Sequence, residues 1–388
     1  MEERRMKKWK SNKGSITLFV LIALLFFIGI LLSSYLSSII SRKTQDDATK
    51  RVKEIYEKDV GRMEDIYQEI AEENRPEIPD VPIPDGFYYV GGEIDTGVVI
   101  SDDPDDEYKG DSHEVAQNLE GNQFVWIPVP NPDEMFTTDS SGKHSGKLYT
   151  FSAGKEPEVI TGGIDKYREP DTIGIADTVR GVTKTSLQNE IDAMAESVIK
   201  YKGFYLGRYE AGMDVNKLTS KTKNAWPSNK NWYDLYNAAK KTYPNDSTNT
   251  KGAVSQMVWG CQWDAACRWF NTFPELKDDN YVTDSQTPGK GNYAPPGSLS
   301  IGTPILTGSD ERYKVKNIYD MAGNYEEQTM EMSGDEYRVR RGGRATEIPV
   351  PKGFVASRTT VLNTFWKPND LADGQKIFTT RLALYVKP

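Results

Sequence analysis

The chain has 388 residues, is 37% hydrophobic and 27% charged, and carries a net charge of −9. That length allows two average domains or one large domain with appendages, and the acidic excess argues against a nucleic-acid binder, which presents a basic face. Two histidines, His113 and His144, cannot furnish a three-histidine iron or zinc site, and two cysteines, Cys261 and Cys267, cannot furnish a disulfide framework.

In chain order, a basic tail comes first (1–15). Residues 16–40, "ITLFVLIALLFFIGILLSSYLSSII", then hold no charge over 25 positions. At about 1.5 Å per residue, such a helix exceeds the roughly 30 Å hydrocarbon core of a bilayer. This length and all-round apolarity predict a transmembrane helix rather than a buried core helix. A signal peptide fits less well, because the run is too long and no small-residue cleavage site comes after it. Six Lys/Arg precede the span and five lie in the fifteen residues after it. That small bias, together with the stalk and large domain C-terminal to the span, gives a cytoplasmic N-terminus and an extracellular large domain. "KGSITLFVL" also resembles the start of a type IV pilin-like segment, with a cut between Gly14 and Ser15. It departs from that pattern at Phe19, where pilins usually carry glutamate. Single-pass anchoring without processing is the simpler reading.

A helical stalk is predicted over 41–74. Its apolar residues Val52, Tyr56, Val60, Met63, Tyr67 and Ile70 are spaced by 4, 4, 3, 4 and 3, a near-heptad stripe. Two readings stay open: a short coiled coil that makes a dimer through 44–74, or one amphipathic helix continuing the span. "RPEIPDVPIPDG" then brings four prolines in twelve residues. These end the helix and predict a stiff linker over 75–85.

Residues 86–388 show no 20–50-residue repeat and read as an α+β domain with much irregular loop. Strand-like runs are "GFYYVGG", "GVVI", "QFVWIPV", "GFYLGRYEA", "EYRVRRGG" and "RLALYVK". A helix is predicted over 186–201, with Leu187, Ile191, Met194, Val198 and Ile199 on one face. A second is predicted over 231–242, N-capped by Asn231. The later part of 256–270, "QMVWGCQWDAACRWF", is helix-like as well.

The order "QFVWIPV", "GFYLGRYEA", "NWYDLYNAAK", "QWDAACRWF", "NIYDMAGNYEEQT", "RVRRGG", "SRTTV", "TRLALYV" resembles the formylglycine-generating enzyme (sulfatase-modifying factor) family. The resemblance spans about residues 86–388, with insertions before 200, and implies a C-type-lectin-like fold. Relatives of this type serve as copper-dependent cysteine oxidases, as non-haem iron oxidases and as ligand-binding proteins.

The oxidase chemistry needs a thiolate pair for Cu(I). The positions expected for it after "RVRRGG" carry Glu347 and Lys352, and no cysteine lies beyond Cys267. Cys261 and Cys267, six residues apart on a helix, rise about 9 Å and point apart, so they read as small core residues. The iron branch needs a histidine cluster that this chain lacks. Neither copper nor iron is expected, and the domain reads as non-catalytic; an enzyme with atypical residues is the remaining catalytic reading.

The resemblance also implies a calcium ion at "YDMAGNYEE", held by the Asp320 and Glu327 side chains and the Gly323 and Tyr325 carbonyls. Carboxylates and carbonyls on a turn suit this hard cation. The alternative is a structural turn whose acids are solvated. Two tryptophans usual in the family motif are replaced by Glu326 and Gln328. The fold places ligands on loops of the C-terminal half, where Arg344, Glu347, Arg358, Phe365 and Trp366 are the candidates. Arg340, Arg341 and Arg344 would either grip an acidic ligand or pair internally. The expected function is therefore a membrane-anchored, surface-exposed protein that binds a protein or glycan partner outside the cell. A pilin-like subunit with an adhesin tip is the alternative.

Overall fold

The computed structural model describes residues 2–73, 77–110, 112–116, 119–161, 167–170, 182–223, 230–284, 291–293, 303–334, 337–345, 354–362 and 378–387, excluding the side chains of 2–17, 67–73 and 361–362. Chain contacts divide it into two units, Met1–Asn74 and Arg75–Pro388.

The first unit is one helix, α1, Glu2–Glu73. It stops before Pro76, whose ring cannot continue the ladder. Every described side chain from 18 to 40 is exposed. One stretch is long and apolar enough to cross a membrane. A run of bare Leu, Ile and Phe is costly in water, so this helix is consistent with a membrane anchor. On the stalk, Val52, Tyr56, Val60 and Met63 are exposed as well. Tyr67 and Ile70 lie outside the described side chains.

The second unit mixes helix and sheet. Its main strands are β1 Tyr88–Gly91, β2 Val99–Ser101, β3 Gln123–Pro128, β4 Tyr167–Arg168, β5 Gly203–Gly207, β6 Ala253–Met257, β7 Glu326–Ser333, β8 Tyr337–Arg341, β9 Thr359–Leu362, β10 Phe378–Thr380 and β11 Leu382–Val386. One sheet runs β1-β2-β3-β5-β11-β6 and is antiparallel throughout. A second runs β9-β8-β7-β10, with β4 pairing β7; only the β7–β10 pair is parallel. The strands β3, β5, β6 and β11 are buried nearly end to end; this explains the apolar runs of β3, β5 and β11, while β6 also buries Ser255 and Gln256.

Helix α2, Lys184–Tyr201, starts at a reciprocal cap between Thr183 and Ser186. Its face buries Leu187, Ile191, Met194 and Val198 as predicted, but Ile199 is 42% exposed. At 100° per residue, Ile199 has rotated past the core stripe. Helix α3, Trp232–Lys240, is capped by Asn231. Helix α4, Gly260–Phe270, has no side-chain N-cap of its own; the Gln262 amide oxygen accepts from the Trp259 N–H instead.

The proline segment predicted as a stiff linker is partly docked. Val81 and Ile83 pack against the core, Pro84 is buried, and the Tyr205 hydroxyl donates to the Pro82 carbonyl at 3.1 Å. Its apolar residues alternate with prolines that prepay the cost of ordering.

Candidate functional site: a charged core beneath the 320–325 turn

The segment 317–329 enters as strand Ile318–Tyr319, turns, and leaves as β7. The turn is left-handed at Asp320, Gly323 and Asn324. Gly323 is required: a Cβ there would lie 2.4 Å from the Asn292 carbonyl oxygen, and its own N–H donates to Gly342 O at 2.9 Å.

The acids of this turn are not solvated, so that reading is corrected: Asp320 and Glu327 are both fully buried. Asp320 Oδ2 accepts from Thr307 Oγ1 at 2.9 Å and from the Gly308 N–H at 3.1 Å. Glu327 Oε1 accepts from Arg381 Nη2 at 2.7 Å, while its Oε2 has no partner. A Cβ at Gly342 would stand 2.6 Å from that oxygen, so glycine keeps it uncrowded. A third buried carboxylate, Glu210, was missed from sequence. It accepts the Tyr325 N–H at 2.9 Å and the Asn324 amide at 2.5 Å. The same Asn324 accepts from Asn292 and from the Ile305 N–H, both at 2.9 Å. The only sequence signal for Glu210 was an acid directly after a buried strand, in "GFYLGRYEA".

Three buried carboxylates thus face one guanidinium, Arg381, which also donates to Gly207 O and Tyr319 O. Burial pushes the Asp320 acid up to about 6. Burial likewise raises Glu327, against the pull of Arg381. Glu210 is raised well above the usual range by burial, then by the charges of Asp320 and Glu327. Buried carboxyl groups with one orphaned oxygen offer hard oxygen donors, which suit calcium better than a soft metal. Among the described residues, no group of three or more His, Cys, Asp or Glu side chains is placed to hold a metal ion. A site here would therefore rely on backbone carbonyls as well.

Beside this lies a closed ring of two arginines and two acids. Arg341 donates to Asp264 at 2.6 Å and to Glu331 at 2.8 Å. Arg358 donates to Asp264 at 2.7 Å and also pairs with Glu331 through Nε. Asp264 further accepts the Tyr149 N–H at 2.8 Å. Arg358, a predicted ligand contact, is thus buried and spends its fork inside the ring. Arg340 pairs with Glu326 at 2.6 Å. Of the predicted candidates, Arg344 keeps an accessible head, 28% exposed and 3.8 Å from Glu326. Glu347, Lys352, Phe365 and Trp366 lie outside the described residues. The structure does not bring Arg344 and Arg358 together at one surface.

Cys261 and Cys267 are free and buried. Burial, and then Glu169, pushes the Cys261 thiol well above its usual value; burial pushes Cys267 up to about 12. Neither is a ready nucleophile or metal thiolate.

No family model and no curated protein matches the chain. Among solved structures, it is similar to CarF at 15% identity, over 48% of this chain and 87% of that one, with a TM-score of 0.33. It is also similar to Treponema denticola variable protein 1 at 13% identity, over 70% of this chain and 98% of that one, with a TM-score of 0.28. At these scores neither likeness bears on fold or function.

Proposed function

We propose that this protein is a membrane-anchored binding protein. Helix α1 holds it in the bilayer, and a non-catalytic formylglycine-generating-enzyme-like domain of C-type-lectin-like fold meets a protein or glycan partner outside the cell. The observation that carries the reading is the exposed, uncharged face of α1 from 18 to 40, attached to a domain whose buried arginines are tied up in internal ion pairs. Such a domain has a stiff frame and no assembled nucleophile–base pair among the groups described above, which favours binding over chemistry.

A calcium ion at Asp320, Gly323, Tyr325 and Glu327 belongs to the same proposal, with the orphaned Glu327 oxygen in its support. Calcium would hold these acids in their ionised form and brace the turn. The test uses the full chain in detergent, screened against glycan and protein arrays with calcium or with a chelator. A partner bound selectively, and a melting temperature raised by calcium, are expected. Copper-dependent oxidation of a cysteine peptide would overturn the non-catalytic reading. An unchanged melting curve would remove calcium.

A further inference from the structure

Away from the charged core, the connection between β1 and β2 borders a cavity of about 540 Å³ lined in part by Glu93, His113, Glu114 and Lys314. His113 is held there by its backbone and by its ring. Its carbonyl accepts the Gly92 N–H at 2.7 Å, and its Nδ1 lies 2.8 Å from the Tyr89 hydroxyl.

That hydroxyl fixes the histidine tautomer. A phenol has one proton, and Tyr89 commits it to the Gly92 carbonyl at 2.9 Å. Toward His113 the phenol oxygen can then only accept. The neutral imidazole therefore carries its proton on Nδ1 and turns the Nε2 lone pair outward.

Nε2 lies 3.5 Å from Glu93 Oε1. With the ring neutral, two acceptors face each other, at a separation longer than the roughly 2.7–3.2 Å of an N–H···O hydrogen bond; the protonated ring would pair with the carboxylate instead. Two ligands each about 2.0–2.1 Å from a tetrahedral ion stand about 3.3–3.4 Å apart. The Glu93 carboxylate makes no other bond among the described residues; only its backbone is engaged, with Thr96 Oγ1 and Gly97.

We propose that His113 Nε2 and the Glu93 carboxylate form a two-ligand site for a divalent transition-metal ion such as zinc. The adjoining cavity leaves the remaining coordination positions to water. Tyr89 is the positioning residue, playing the outer-sphere part that hydrogen-bonded partners of metal-ligating histidines play elsewhere. Glu114 adds negative charge to the same wall. The Lys314 amine opposite is neutralised by Glu311 at 2.5 Å. Imidazole plus one carboxylate selects zinc, cobalt or nickel over calcium or magnesium. This site is separate from the carboxylates beneath the 320–325 turn.

The experiment titrates the full chain in detergent micelles with zinc chloride, by calorimetry and by imidazole ¹⁵N NMR. The chain's only two histidines make the spectrum readable. One zinc per chain is expected, with the His113 resonances moving and those of His144 still. His113→Gln and Glu93→Gln should each weaken binding at least about tenfold, and Tyr89→Phe by roughly tenfold. His144→Gln should leave it unchanged. Glu93 is 49% exposed, so its variant keeps the fold even if the others do not. Absence of zinc binding, unchanged affinity in Glu93→Gln, or movement of His144 in place of His113 would overturn the proposal.

Discussion

Glu169 shows what a single buried residue contributes. Its Oε1 accepts the Cys261 N–H at 2.5 Å, and its Oε2 has no partner. Burial, and then the charge of Glu331, raises its pKa from 4.5 to about 8. A carboxyl with a raised folded-state value binds its proton more tightly folded than unfolded. Its stabilisation is therefore full below 4.5 and is lost as pH climbs toward about 8. Thermal unfolding across that window should show the wild type weakening with rising pH, and Glu169→Gln should flatten the curve. An equally steep curve in the variant would place the effect elsewhere. At this scale the sequence showed Asp320 and Glu327 as notable acids, because they bracket a turn. It could not show that they are buried, nor that Glu210, distant in the chain, shares their pocket of charge. Burial of an acid depends on partners brought by other elements, and no local pattern encodes it.

Strand β7 makes the same point for a whole element. Its sequence, "EEQTMEMS", has Thr329 as its one β-branched residue and three glutamates, yet seven of its eight residues are buried. It can lie inside because arginines from other segments meet its acids: Arg340 for Glu326, Arg381 for Glu327, and Arg341 with Arg358 for Glu331. The apolar strands β3, β5 and β11 and the cap of α3 were legible in advance, since their signals are local. The polar strand was not, since its logic is cross-strand pairing. Removing one arginine from the ring strands two buried carboxylates on a single guanidinium. Arg341→Met should cost about 3–5 kcal/mol in urea unfolding. Adding Glu331→Gln should restore part of that loss, because one uncompensated charge disappears. If the double variant is no more stable than the single one, the ring is not an electrostatic unit.

For the molecule as a whole, the first unit is the part long and apolar enough to enter a bilayer. The exposed apolar face of α1 predicts that the full chain sediments with membranes and resists extraction by salt or alkali, yielding only to detergent. Recovery in the alkaline supernatant would argue against a span. Fold class at the α+β level was readable from alternating short strands and few helices, whereas the finer architecture depends on long irregular loops whose sequences carry little periodicity.

The sequestered thiols have a practical consequence for the sidedness of the chain. Cys261 and Cys267 are packed away and held as thiols, so a membrane-impermeant maleimide finds nothing to alkylate on the native chain. The Val215 side chain, 90% exposed at a hairpin tip with φ of 54°, is a natural place for a reporter. In intact cells a Val215→Cys chain should take the label if the large unit faces outward. Labelling only after lysis would turn the protein around. The chain thus comes with a silent background already built in, and one engineered sulfur can read its topology.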